Sequence, residues 1–304
     1  MQLPRDDQEH PRAQAFREFI RNPPFPCVGA KSALSRGRMK IVVARDITSG
    51  WDDMRIYPAL LAFVARYREA PDLFQSFAVV FEGPGDLSEE AFEQNLWARA
   101  QSLTDKDAWL GQPHDARVAD DPDNPHFSLS FGGEAFFVVG LHPNASRPAR
   151  QFSSPVLVFN LHAQFERLRA EGRYEKLRAS ILERDEALAG SLNPMLARHG
   201  ETSEARQYSG RVVDADWRCP MQGRPAAPPR RPPTIGIRWP RRSTASSRPT
   251  AAEALRIGLD RGGVCRVSGR TRAEAETSWT GRTCSRSSRA QASPSPWTGA
   301  SASR

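Results

Sequence analysis

FSLSFGGEAFFVVGLH at residues 127–142 and PVLVFN at residues 155–160 are the stretches that decide the fold. Two apolar runs flank Gly132-Gly133, and a Gly-Gly pair in that setting predicts a hairpin with a two-residue turn. We therefore predict antiparallel strands at 127–131 and 135–141, followed by a third strand at 155–160. Strands this apolar must be covered by other elements, so helices are expected to pack on the sheet.

The rest of the first 221 residues alternates between extended and helical patterns. Buried runs predict strands, and apolar residues at helical spacing predict helices. Seven further elements are predicted in this way: strands at 39–45 and 74–82, and helices at 12–21, 55–68, 88–103, 162–171 and 173–189. Together they predict an α+β domain over residues 1–221, with a mostly antiparallel or mixed sheet of about five strands covered by helices.

The positive charge of the chain is confined to its C-terminal part. Residues 1–221 hold 27 Lys+Arg and 31 Asp+Glu, a net charge of −4, whereas residues 222–304 hold 16 Arg and 4 acids, a net charge of +12. The formal charge of +8 therefore says nothing about the partner of the first 221 residues, and nucleic acid is an expected partner only through the C-terminal part.

Residues 222–304 are rich in Arg, Pro, Ala, Gly, Ser and Thr and hold only seven Val, Ile, Leu or Met residues. Such a segment cannot bury enough apolar surface to offset the entropy of ordering its backbone. Three interpretations remain: a basic disordered arm that binds nucleic acid, a flexible tail without a specific partner, or GC-rich coding DNA translated out of frame. We favour the last, because Arg, Pro, Ala and Gly have GC-rich codons.

Targeting signals are absent from the sequence. No stretch approaches 18 consecutive apolar residues, so no membrane span is predicted. The N-terminus has no apolar run behind a basic start, and four Cys in 304 residues do not form a disulfide framework. A cytoplasmic protein is expected.

Textual motifs of common enzymes are also absent, but several residues lie where sites are often built. Cys27 lies between a proline and small residues, with Lys31 nearby, which can activate a thiol. His142 ends a very apolar strand, with Arg147 and Arg150 just beyond it. A buried structural Cys and a hydrogen-bonded strand-end His are the plainer alternatives.

Two further residues are candidates for a buried site. His162 opens a helix directly after a strand, where an imidazole can bind a metal and where Asn160 can cap the helix. Glu134 adjoins the apolar strand, so its carboxylate needs a cationic partner if it is buried. A core His and a solvent-facing Glu are the alternatives. These residues alone therefore predict an α+β domain with His and Cys near strand ends, but they do not indicate which reaction it catalyses.

Five strings in this order resemble the YqcI/YcgG family: FPCVGAKSAL, FSLSFGGEAFFVVGLHPNASRPARQF, PVLVFNLHAQFERLR, RDEALAGSLNPML and SEARQYSGRVVDADWRCP. Within the family, they are most similar to haem-dependent guanidine N-hydroxylases of the pre-guanitoxin type. The resemblance covers residues 16–220 and does not extend into the C-terminal part.

The resemblance implies a haem b enzyme that uses dioxygen or peroxide to hydroxylate a guanidine nitrogen of arginine or an arginine-derived amino acid, with a possible redox partner. His162, His142 and Cys27 are then the candidate axial ligands, with His162 preferred. Arg147 and Arg150 are the candidates for the haem propionates. Glu134 is the first choice for the substrate guanidinium. A haem carrier or sensor without turnover and a basic-tailed nucleic-acid-binding protein are the alternatives.

Overall fold

The computed structural model describes residues 7, 9–195 and 200–226, together with 258–259 and 265–266. The chain divides into two units, residues 1–232 and 233–304. The described part of the first unit contains five strands: β1 (Met39–Asp46), β2 (Ser76–Gly83), β3 (Leu129–Phe131), β4 (Glu134–Leu141) and β5 (Val156–Leu161). It also contains seven helices: α1 (Pro11–Arg21), α2 (Val28–Ser35), α3 (Asp53–Glu69), α4 (Glu89–Trp109), α5 (His162–Ala170), α6 (Tyr174–Ala189) and α7 (Ala205–Tyr208).

The five strands form one mixed sheet in the order β1-β2-β5-β4-β3. β1 and β2 are parallel and are connected through α3, whereas β2–β5, β5–β4 and β4–β3 are antiparallel. A crossover helix is the usual connection between parallel neighbours. The predicted α+β class and five-stranded mixed sheet are therefore confirmed.

The hairpin predicted from Gly132-Gly133 is also confirmed. Phe131 pairs with Glu134, which leaves the two glycines as the turn, and both have positive φ angles of 59° and 81°. A tight hairpin turn of this type needs positive φ at both central residues, which glycine adopts without steric cost. The turn also packs closely, because a Cβ on Gly132 would lie 2.9 Å from Leu61 Cδ2.

Alternation along the strands divides the buried residues between two faces of the sheet. On the first face, Phe136, Val138 and Phe159 join a core cluster with apolar residues of α3 and α4. On the second face, Ile41 and Val158 pack in another cluster with residues of α1 and α2. Helices therefore cover both faces, as a sheet of this apolar composition requires.

Gly140 marks the closest approach of α4 to the first face. A Cβ at this position would lie 2.7 Å from Phe92 Cε1 and 2.9 Å from Leu96 Cδ1. Overpacking of this kind costs about 1–3 kcal/mol. Gly140→Ala is therefore expected to lower the free energy of unfolding in urea by that amount. Gly85→Ala is the control, because a Cβ there meets nothing within 4 Å; equal stability of the two variants would contradict the prediction.

The structure corrects three local expectations. Residues 28–35, which carry no helical prediction, form α2, and α4 continues to Trp109 rather than ending near residue 103. Ser88 caps α4 as expected, with its Oγ accepting from Ala91 N at 3.1 Å. Asn160 does not cap α5, because its Oδ1 accepts from Ser76 Oγ at 2.8 Å within the sheet.

Contacts between α4 and the chain continue past Met221. Gln222 N donates to Gln101 Oε1 at 2.8 Å, and Gly223 O accepts from Gln101 Nε2 at 3.1 Å. Arg224 Nη1 then donates to the buried carboxylate of Asp107 at 2.7 Å. These contacts extend the folded part of the first unit to at least Arg224.

The described residues of the second unit are two paired strands, β6 (Gly258–Leu259) and β7 (Cys265–Arg266). The interpretations of residues 222–304 therefore fall almost entirely outside the described residues. Within the part of the chain that the structure describes, no helix is long and apolar enough to cross a membrane.

Candidate functional site

A cavity of about 240 Å³ lies on the second face of the sheet, between the sheet and α2, α5 and α6. Its floor includes polar side chains of β2 and β5, whereas its walls are mainly apolar and aromatic. The apolar wall residues are Phe74, Phe137, Val139, Phe165, Leu168, Tyr174, Leu177, Ile181 and Leu182. An apolar cavity with few polar groups is the usual form of a small-molecule site.

Cys27 provides the one thiol among the described residues that line this cavity. It is the N-cap residue of α2, and its Sγ accepts from Ala30 N at 3.4 Å. Burial raises the pKa of the Cys27 thiol, while the nearby backbone N–H groups and the charge of Arg150 act in the opposite direction. The thiol is therefore neutral at neutral pH unless a metal takes the place of its proton.

Phe74 lies beside Cys27 at the cavity wall and has an unusual backbone. Its φ of 60° places a bulky residue in the left-handed region, which is sterically unfavourable. Its neighbours hold it there: Leu73 O accepts from Arg38 Nη1 at 3.1 Å, and Gln75 exchanges two hydrogen bonds with the amide of Gln164. Strain of this kind is concentrated at functional sites.

Glu204 provides the one carboxylate among the described cavity-lining residues and is 5% exposed. Its Oε2 accepts from Ser128 Oγ at 2.7 Å, and its Oε1 lies 3.2 Å from His162 Nε2. The other ring nitrogen of His162, Nδ1, lies 3.5 Å from Glu166 Oε1. His162 thus lies behind the cavity wall, between two carboxylates, rather than on the lining.

The structure places His142 away from the cavity, which argues against it as a ligand there. Its ring stacks on Phe92 of α4 on the first face of the sheet, with ring centroids 4.3 Å apart. Phe137 and Val139, whose side chains alternate with those facing α4, line the cavity instead. His142 is 1% exposed, and burial lowers the pKa of its imidazole.

Protonation of His142 is expected to destabilise the fold at acidic pH. A lowered pKa in the folded state means that the unfolded chain binds the proton more tightly. The contribution of the neutral ring is therefore complete above about pH 6.5 and is lost as the pH falls below that value. Urea unfolding at about pH 7.5 and about pH 5.5 should show a smaller loss of stability for His142→Asn than for the unsubstituted chain. Equal losses would contradict this.

Arg147 and Arg150, expected to bind propionates, have structural roles. Arg147 forms a largely buried ion pair with Asp185 of α6 at 2.5 Å. Arg150 donates to the carbonyl oxygens of Gly140, Gln207 and Tyr208, and burial lowers its pKa to about 10. Neither lines the cavity. Among the described lining residues, the two guanidinium groups belong instead to Arg169 and Arg178.

Glu134 likewise has partners within the protein and lies outside the cavity lining. Its Oε1 accepts from Arg68 Nε at 2.8 Å, and its Oε2 lies 3.3 Å from Arg117 Nη2. The expectation that Glu134 needs a cationic partner is met by these two arginines. The corresponding carboxylate at the cavity is Glu204, which lies in the string SEARQYSGRVVDADWRCP of the family resemblance but is not among the site residues predicted from the sequence.

Of the residues predicted from the sequence, Cys27 therefore lines the cavity, and His162 reaches it through Glu204. Among the described residues, no group of three or more His, Cys, Asp or Glu side chains is arranged to hold a metal ion. Haem needs no such cluster, because one axial ligand suffices.

Comparison with known proteins gives the family of the chain. A Bacillus subtilis (strain 168) protein, "Uncharacterized protein YqcI", is 27% identical over 149 residues, which are 47% of this chain and 57% of that relative. The match thus spans little more than half of the relative's length. No solved structure matches the chain. The model of the YqcI/YcgG family matches residues 16–222, a range that includes every element of the cavity. Because this match covers more than half of the chain, the protein belongs to the YqcI/YcgG family.

Proposed function

We propose that the protein is a haem-dependent N-oxygenase that hydroxylates a guanidine nitrogen of arginine or of an arginine-derived amino acid. The observation that carries the proposal is the convergence of Cys27 and Glu204 on one apolar cavity. A thiol offers a haem ligand, and a carboxylate offers a partner for a guanidinium group. The resemblance to guanidine N-hydroxylases supplies the reaction class.

The donor chemistry of the cavity fits a haem. Cys27 would bind the iron, the aromatic walls would contact the macrocycle, and Arg169 and Arg178 would pair with the propionates. The volume of about 240 Å³ lies just below the usual range of about 300–1,000 Å³ for ligand sites. Haem is larger than this volume, so its binding would require the cavity to widen.

Bound haem would supply the activation of dioxygen, or of peroxide, that the side chains lack. With dioxygen, one oxygen atom enters an N–H bond of the guanidine and gives N–OH. The other oxygen atom leaves as water, with two protons and with two electrons from an external donor. Peroxide already carries both electrons and both protons, so it needs no donor.

The side chains of the cavity would bind the substrate and limit water access. The Glu204 carboxylate would pair with the guanidinium group, in place of the expected Glu134. Ser128 fixes Glu204 by donating to Oε2, so that substrate would meet a carboxylate already held in one orientation. The apolar walls would exclude water from the guanidine and strengthen this pairing.

The test is an absorption spectrum of the full-length protein, expressed with added haem precursor, followed by reduction and carbon monoxide. A Soret band at one haem per chain, together with an N-hydroxylated product by mass spectrometry from arginine and peroxide or an electron donor, is expected. Stoichiometric haem without product from any guanidine amino acid would favour a carrier or sensor. A folded protein that takes up no haem would overturn the proposal.

A further inference from the structure

We infer that Gln207 is a second substrate-binding residue of the cavity, and that it makes the cavity select guanidines over amidines. Its side-chain carbonyl would accept from the guanidine nitrogen that the Glu204 carboxylate leaves unpaired. The inference rests on the proposed function for the class of substrate. It goes beyond that proposal by assigning the residue that recognises the third nitrogen.

The backbone of Gln207 is fixed, whereas its side-chain amide has no partner. Gln207 N donates to Glu204 O at 2.9 Å, and Gln207 O accepts from Arg150 Nη2 at 3.1 Å. The residue is 6% exposed and lines the cavity, yet its amide forms no hydrogen bond with the described residues. Burying an amide without a partner costs free energy, and a ligand in the cavity would supply the missing partner.

The other amide side chains among the described lining residues are engaged within the protein. Asn160 Oδ1 accepts from Ser76 Oγ at 2.8 Å, and the amide of Gln164 exchanges two hydrogen bonds with the backbone of Gln75. The side chain of Gln75 in turn donates to a backbone carbonyl oxygen at 2.9 Å. Gln207 is therefore the amide of the described lining that is available to a ligand.

Glu204 and Gln207 face the cavity from the same side of α7. Glu204 precedes the helix with helical φ and ψ angles of −60° and −22°, and residues three apart in this conformation are neighbours on one face. Both residues line the cavity. Arg206, between them, turns away and donates to Trp217 O at 3.2 Å. The carboxylate and the amide are thus adjacent groups of one surface.

This pair of groups matches the donors of a guanidinium ion. A carboxylate pairs with N–H groups on two of its nitrogens. The third nitrogen keeps its N–H groups, and inside an apolar cavity they need an acceptor, which Gln207 Oε1 provides. An amidinium has the same charge and the same pair of donors for Glu204, but carbon replaces the third nitrogen. It would leave Gln207 unpartnered and bind more weakly.

The test compares L-arginine with its acetamidine analogue, in which a methyl group replaces one terminal NH₂ group. Isothermal titration calorimetry of the full-length protein, without haem and after addition of haem, gives the Kd of each compound. The unsubstituted protein is expected to bind L-arginine about tenfold more tightly than the analogue. Gln207→Leu is expected to weaken arginine binding about tenfold and to remove this preference.

Two further variants separate ligand binding from packing. Gln207→Glu keeps an acceptor at this position and should retain the preference for arginine, whereas a role in packing would be better preserved by leucine. Gln14→Leu is the matched control, because Gln14 is exposed on α1 and lies outside the cavity lining. Gln207→Leu is expected to fold, since its replacement removes no hydrogen bond of the described side chain.

Equal Kd values of the unsubstituted protein and Gln207→Leu for L-arginine would overturn the inference. The absence of arginine binding, or equal affinity of the unsubstituted protein for the analogue, would overturn it as well. If the protein takes up no haem but shows the preference that depends on Gln207, the proposed function fails and the inference stands. If haem binds and the N-hydroxylated product forms, but Gln207→Leu changes neither Kd nor KM, the inference fails and the proposed function stands.

Discussion

Replacing Cys27 by serine is expected to abolish stoichiometric haem binding by the full-length protein. The hydroxyl preserves the size of the side chain and its capacity to cap α2, so the change removes the soft thiolate donor and little else. Burial raises the pKa of the thiol in the haem-free chain, so binding of iron would have to displace the proton. Haem titration followed at the Soret band measures the loss.

Cys219→Ser is the matched control for this experiment. Cys219 is also a free, partly buried cysteine, but it packs against the core cluster on the first face of the sheet. Burial raises its pKa to about 12, and haem uptake should be unaffected by its replacement. Normal haem loading of Cys27→Ser together with loss of haem from His162→Ala would contradict the assignment and restore His162 as the axial ligand.

Asp107→Ala is expected to cause the largest loss of stability, about 3–5 kcal/mol in the free energy of unfolding. The Asp107 carboxylate is fully buried and accepts from three groups: Tyr57 Oη at 2.8 Å, Gly132 N at 2.8 Å and Arg224 Nη1 at 2.7 Å. Removing it leaves a buried guanidinium group, a phenol and an amide without their acceptor. Urea unfolding measures the difference.

Asp105→Ala is the control, because Asp105 is exposed on the same helix and its one described hydrogen bond comes from Gln101 Nε2 at 2.7 Å. Its replacement should change stability by less than about 0.5 kcal/mol. Asp107→Asn should fall between the two, since it keeps an acceptor for Tyr57 but loses the charge that faces Arg224. A loss of under about 1 kcal/mol for Asp107→Ala would show that the three donors find other partners.

The strands of the sheet could be predicted from the sequence because each depends on residues that are neighbours in the chain. Gly132-Gly133 between two apolar runs specifies the turn and therefore the register of β3 and β4. Helix α2 could not be predicted from the sequence in this way. A proline before Cys27 and a glycine two residues after it favour a turn, and the helix depends on packing of Ala33 against the second face. Tertiary contacts there outweigh local preference.

The candidate site required contacts between residues far apart in the chain. Cys27 was singled out from its neighbours, but nothing near Glu204 indicates that it reaches Ser128, which lies 76 positions earlier. Arg147 and Arg150 follow an apolar strand as ligand-binding arginines often do. In the structure, however, Arg147 pairs with Asp185 of α6, and Arg150 donates to a backbone carbonyl of α7. Both helices come later in the chain, so these contacts cannot be predicted from the residues around Arg147 and Arg150.

The ion pair between Arg224 and Asp107 bears on where the polypeptide can be shortened. A fragment that stops at Met221 discards the guanidinium that neutralises a fully buried carboxylate, although it retains every strand and helix that the structure describes in the first unit. A fragment that continues to residue 226 keeps this neutralisation and the hydrogen bonds of Gln101 to Gln222 and Gly223. We therefore expect a fragment that ends at residue 226 to be more stable than one that ends at Met221, because only the longer one keeps the ion pair of Asp107.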